Sequence, residues 1–156
     1  MGIGPSTKET TLHHFRDPLL EVVSSDNDVD LLGIIVAGTP QENEYKVFVA
    51  ERAAAWTEAM RADGVIVSID GWGNSNIDFA TCLEAVGKRE IPVVGMSFVG
   101  TMGFVVTNKY MDTIVDFNKS KEGIETEIVG QNTVATLDAK KALAFLKLKM
   151  RNREVK

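Results

Sequence analysis

The sequence predicts an α/β protein, a Rossmann-like three-layer sandwich with a mainly parallel central sheet. Three apolar, β-branched runs carry that expectation, at residues 31–37, 65–69 and 91–98. Each has the length and composition of a strand buried on both faces, the pattern of parallel sheets covered by helices. Segments of helical periodicity separate the runs, and alternation of strand, helix and strand joins parallel neighbours through right-handed crossovers. A small, polar loop follows each run, so parallel strands gather the three loops at one edge, where ligands collect in open α/β sheets.

The chain opens on a polar lead over residues 1–30 with apolar islands at 12–15 and 18–23. Asp17-Pro18 reads as the capped start of a short helix carrying Leu19, Leu20, Val22 and Val23. Residues 24–28 form a loop, and 31–37 form the first buried strand, closed by Gly38-Thr39-Pro40. Tyr45, Val49, Ala53, Trp56 and Met60 then fall within about a quarter of the helix circumference, the stripe of a helix laid on a sheet. Asp63-Gly64 ends that helix and the second strand follows directly.

After the glycine-rich loop, Phe79, Cys82, Leu83 and Val86 share one face of a second helix, which Gly87 terminates ahead of the third strand. Residues 99–103 read as a loop, 104–107 as a short strand, 110–118 as a short helix, 119–123 as a turn and 126–129 as a final strand. Thr136 caps the last helix, whose Ala139, Ala142, Leu143, Leu146 and Met150 face inward. The whole is read as one α/β domain over residues 1–156, with 1–30 a lead segment and 31–156 the core. A length of 156 residues at 44% hydrophobic content supports one core.

A formal charge of −5 gives no general reason to expect nucleic acid as a partner. The charge is uneven: residues 140–156 hold seven basic residues and one acid, a net +6 against −11 for the remainder. Cations near a helix C-terminus complement its dipole, and the same tail is a candidate docking surface for an acidic partner. Cys82 stands alone, which excludes an internal disulfide and a thiolate metal cluster and fits a reducing, cytoplasmic compartment. No apolar run is long enough to span a bilayer, and the start lacks a signal-peptide core. Gly2 to Ser6 fits a myristoylation pattern formally, on a motif too short to carry weight.

Candidate chemistry concentrates in the strand-end loops. A composite cleft there would use Thr39, Asp70, Trp72, Asn74, Ser75, Asn76 and Thr101 for ligand binding or contact. Asp70, Asn74, Ser75 and Asn76 supply donors and acceptors, and Trp72 a flat apolar wall. The competing reading is a tight strand-to-helix turn in which Asn76 or Ser75 caps the helix and the glycines permit the bend. Gly71-Trp72-Gly73-Asn74 is not the dinucleotide fingerprint, and no lysine-bearing phosphate loop is present. The only histidines are His13 and His14, a residue type suited to general acid or base work, but adjacent positions point apart and suit joint metal binding poorly. Cys82 on an apolar stripe reads as a small core residue rather than a nucleophile. No catalytic, cofactor-binding or metal-ligating residue is assigned.

Four segments in order, 2–8, 61–67, 71–74 and 87–95, carry a family resemblance: Gly2-Ile3-Gly4-Pro5-Ser6-Thr7-Lys8, Arg61-Ala62-Asp63-Gly64-Val65-Ile66-Val67, Gly71-Trp72-Gly73-Asn74 and Gly87-Lys88-Arg89-Glu90-Ile91-Pro92-Val93-Val94-Gly95. Together they resemble the glycine/sarcosine/betaine reductase and D-proline reductase component B family. The similarity is closest to the portion downstream of the pyruvoyl cleavage site and to short members of the D-proline type. It runs from Gly2 to about Met150.

The resemblance implies a place in reductive amino-acid fermentation, the Stickland reaction of anaerobic bacteria. Such reductases split a carbon–nitrogen bond with a pyruvoyl carbonyl that captures the substrate amine and a selenocysteine or cysteine on a partner subunit. D-proline would give 5-aminovalerate. A pyruvoyl group forms where the chain breaks before serine or cysteine, and Thr81-Cys82 is the one cysteine junction, inside the expected central crossover helix. The expectation is therefore a pyruvoyl-free subunit or accessory paralogue, with the pyruvoyl subunit and the selenoprotein as partners and a homo-oligomer compatible with the same role. An independent amino-acid-binding domain or enzyme with a strand-end cleft is the alternative.

Overall fold

The computed structural model describes residues 17–69, 73–99, 103–118 and 134–154, without the Glu154 side chain. The chain begins with α1 (Pro18–Ser24), set as the sequence predicts: Asp17 Oδ1 accepts the Leu19 N–H at 2.8 Å and Pro18 opens the helix. Then come α2 (Asn43–Ala59), β1 (Val65–Ser68), α3 (Ser75–Gly87), β2 (Val93–Ser97), β3 (Ile114–Asp116) and α4 (Thr136–Glu154). The strands form one sheet in the order β1-β2-β3, and both pairs are parallel. Val65 lies opposite Val93, and Gly95 opposite Ile114. The α/β class read from the sequence is the observed one.

Side chains of successive strand residues leave opposite faces of a sheet, and that alternation sorts the core into two clusters. Val65, Val67 and Val93 pack with Phe79 and Leu83 of α3 on one side; Ile66, Val94 and Met96 pack with Ala142 and Leu146 of α4 on the other. Gly95 faces α3, where a Cβ would stand 2.7 Å from Phe79 Cζ, so the missing side chain lets the helix settle onto the strand. α1 covers α4: Leu19 joins its cluster, and Lys147 Nζ reaches Asp26 Oδ1 at 2.6 Å and Asp28 Oδ2 at 2.9 Å.

The first strand expected over residues 31–37 does not form. The segment lies outside the sheet, with Leu32, Ile34 and Val36 exposed. The stripe of α2 expected on the sheet is outward too: Tyr45, Trp56 and Met60 are exposed, while Lys46, Ala50, Ala54 and Thr57 are buried. One cause accounts for both. α2 presents its small-residue face to α3 and is held there at two points, by Lys46–Asp78 at one end and by Arg89 bridging Glu51 and Glu58 further along. This rotation turns the aromatic stripe away, and residues 33–35 rest against Trp56, Ala59 and Met60 as one wall of an apolar hollow. Among the described residues β1 is an edge strand.

Three smaller expectations change. The helix expected over residues 110–118 is replaced by β3, because Thr113-Ile114-Val115 is a β-branched run whose acidic neighbours, Asp112 and Asp116, suggested a helix face. Residues 104–107 bend at the surface without pairing. Thr136 opens α4 rather than capping it; the Ala135 N–H donates to Asp138 Oδ2 at 2.9 Å, so the third helical residue closes the end. The inward face expected of α4 holds, with Ala139, Ala142, Leu143 and Leu146 buried and Met150 half-buried. The strand expected over residues 126–129 lies outside the described residues.

Candidate functional site

Helices α2 and α3 start side by side at the carboxyl edge of the sheet. Asn74 Nδ2 donates to Gln41 Oε1 at 3.5 Å, and one turn further in Lys46 Nζ lies 2.6 Å from Asp78 Oδ2. The Lys46 side chain is 1% exposed and that of Asp78 9%. Asp78 sits in the first turn of α3, where the helix dipole favours an anion. Lys46 supplies the opposing charge that makes its burial tolerable.

On the sheet-facing side of the same helix end, two polar side chains are buried with no partner. Asn76 and Ser97 are each 1% exposed, and Asn76 Nδ2, Asn76 Oδ1 and Ser97 Oγ make no hydrogen bond. Asn76 shares the buried stripe of Phe79, Ala80 and Leu83, so it faces the sheet. Ser97 ends β2 in the same alternation as Val93 and Gly95, so it faces α3. The second carboxylate oxygen of Asp78 is also without a partner. An unsatisfied buried polar group costs about 1–3 kcal/mol, and folded proteins carry few of them. The seam between α3 and the end of β2 thus holds an amide and a hydroxyl able to donate to and accept from a small polar molecule or an enclosed water.

The residues singled out in the sequence are distributed unevenly about this point. Asn76 is in the seam. Asn74 is the N-cap residue of α3, exposed and without a capping bond from its side chain, and Ser75 is half-buried in the first turn. The cap expected of Asn76 is not made, because its side chain points into the core instead of back to the helix end. Thr39 is exposed in the unpaired segment that precedes α2. Asp70, Trp72, Thr101, His13 and His14 lie outside the described residues.

Cys82 is half-buried on α3, and burial first, then the Asp78 charge, pushes its thiol up to about 11, which keeps thiolate scarce at neutral pH. Among the described residues no three His, Cys, Asp or Glu side chains are placed to hold a metal ion, and no helix is long and apolar enough to cross a membrane.

Sequence reasoning missed Lys46, Asp78 and Ser97. The available signals were a lysine in register with Ala50, Ala54 and Thr57, a small-residue face that only close packing explains, and a serine inside the apolar run 91–98. A buried lysine requires a carboxylate, and Asp78 in the next helix start is the residue to look for.

Taken together, the fold and the site define an α/β domain with a polar seam at its carboxyl edge. The sequence profile of the glycine/sarcosine/betaine reductase component B subunits matches residues 2–127, and the chain belongs to that family. It is 46% identical over 155 residues to the D-proline reductase proprotein PrdA of Acetoanaerobium sticklandii, an alignment covering 99% of this chain and 25% of that protein. The chain therefore spans a quarter of the length of this curated relative. No solved structure matches it.

Proposed function

We propose that this chain is a subunit or accessory paralogue of a D-proline/glycine-type amino-acid reductase complex, taking part in reductive carbon–nitrogen bond cleavage without a pyruvoyl group of its own. The observation that carries the reading is the 46% identity to a D-proline reductase proprotein along nearly the whole chain. In this reading the pyruvoyl group and the selenocysteine reside on partner subunits, and the chain works in the cytoplasm of an anaerobic bacterium.

The one cysteine fits poorly as a pyruvoyl precursor. The Thr81-Cys82 bond lies in the middle of α3, with Thr81 Oγ1 donating to the Ile77 carbonyl at 2.6 Å, and a break there would split the helix that covers the sheet. Purification of the tagged chain from its native host tests the proposal. Recovery of reductase subunits together with an intact mass equal to the unbroken chain is the expected result. Failure to recover any reductase subunit would sink it, and a mass shortened at an internal serine or cysteine would return the pyruvoyl group to this chain.

The unpartnered Asn76 and Ser97 favour a second reading, an amino-acid-binding cleft at the carboxyl edge. A ligand that binds only the folded state raises the unfolding temperature. Thermal shifts unchanged by glycine, sarcosine, betaine and both proline enantiomers would remove this reading.

A further inference from the structure

α4 is apolar on two faces. Ala139, Ala142, Leu143 and Leu146 are buried, yet Leu137, Phe145 and Leu148 on the other side are 61%, 43% and 50% exposed. At about 100° per residue these three fall within one quarter of the circumference, the width of stripe that a helix normally buries. Lys141 lies in the same quarter, midway between Leu137 and Phe145, so the face is a mixed one in which exposed apolar side chains alternate with a cation, a pattern suited to an amphipathic contact.

The charges within and beside this face select the partner. Lys140, Lys141 and Arg151 are exposed on this outer side, and none of them is paired with a carboxylate among the described residues. Two further cations of the helix are engaged within the chain, Lys147 with Asp26 and Asp28 and Lys149 with Asp112 and the Val93 carbonyl, while Arg153 is exposed in the last turn. The outer face is therefore positive on a protein whose net charge is −5. Two copies meeting through it would bring like charges together, which disfavours a second copy. An acidic partner meets no such opposition.

We propose that the outer face of α4 docks an amphipathic helix of a partner protein, with apolar anchors at i, i+3/i+4 and i+7 set between flanking Asp and Glu. The anchors cover Leu137, Phe145 and Leu148, and the acidic flanks meet Lys140, Lys141 and Arg151. The inference rests on the reading that the chain works in an assembly, but its test uses the isolated full chain, so a negative result here leaves the co-purification result independently readable.

The probe is a fluorescein-labelled synthetic helical peptide with leucines at that spacing flanked by glutamates, followed by anisotropy at low and high salt. A scrambled peptide of the same composition and vesicles of equal phosphatidylglycerol and phosphatidylcholine serve as comparators. Saturable, salt-weakened binding of the patterned peptide is expected, with the scrambled peptide and the vesicles inactive. Leu148→Ser should weaken binding about tenfold by removing a central anchor. Lys140→Glu with Lys141→Glu should weaken it and flatten its salt dependence. All three positions are exposed, and circular dichroism verifies that the variants fold. Equal binding of the scrambled peptide, indifference to Leu148→Ser, preference for the vesicles, or self-association of the free chain relieved by Leu148→Ser would each overturn the proposal.

Discussion

Lys46 Nζ and Asp78 Oδ2 stand 2.6 Å apart between α2 and α3, with the lysine side chain almost wholly enclosed. The pair fixes how α2 is rotated and hence which of its faces reaches solvent. A single substitution leaves one buried charge uncompensated, which costs about 3–5 kcal/mol. Lys46→Met and Asp78→Leu should each lower stability by that order, and the double variant should recover most of the loss. Urea unfolding midpoints measure it; a double variant no better than the sum of the singles would show that the pair is not coupled.

The unpartnered groups of the seam lead to the opposite sign. With nothing bound, Asn76→Leu and Ser97→Ala remove polar atoms that are buried without hydrogen bonds, so each should raise stability by about 1 kcal/mol. Calorimetry of the purified chain reads this directly. A loss of stability instead would mean that these atoms are satisfied in solution by water or a ligand.

Gly95 predicts a local clash. A methyl group at this position meets Phe79 Cζ at 2.7 Å, with Ile114 and Leu83 close behind, and Phe79 is itself buried and unable to swing clear. Gly95→Ala should destabilise by about 1–3 kcal/mol, the usual range for overpacking. Pairing it with Phe79→Leu should restore part of the loss, and no recovery in that pair would move the clash elsewhere.

How much of this was legible beforehand differs by element. α1, α3 and α4 follow from signals within each segment: a capping Asp17 before Pro18, a stripe ending at Gly87, and an alanine-leucine face. β1 and β2 were legible as apolar runs. Residues 31–37 and the stripe of α2 were misread because their burial depends on how two helices meet, and that is decided by Lys46 and Asp78, which are 32 positions apart in the chain. The seam was half legible: Asn76 belongs to a polar loop signal, whereas Ser97 looks like a tolerated polar residue inside a strand until the alternation of β2 is known.

The contact between α1 and α4 sets a pH dependence. The hydrogen bond from Lys147 holds the Asp26 carboxyl below its ordinary 3.8, and the bonds to Asp26 and Asp28 hold the Lys147 ammonium above 10.5. A carboxyl depressed in the folded state contributes stability above its unfolded value and loses it as pH falls through the folded one. The raised lysine contributes below 10.5 and loses its share as pH rises through its folded value. Wild type minus Asp26→Asn stability should therefore be flat at mid-range pH and shrink as acid is added below about 4. A difference that grows toward acid would contradict the pairing.

The edge that β1 forms among the described residues, together with the exposed apolar segment 31–37, has a practical consequence for anyone handling the protein alone. Unpaired strand edges recruit other strands, and residues 31–37 hold the β-branched composition that serves. Every additional molecule in solution brings both the socket and the plug. Purified stocks should cloud in proportion to concentration, and a charged residue in place of Ile34 or Val36 is the change that keeps them clear.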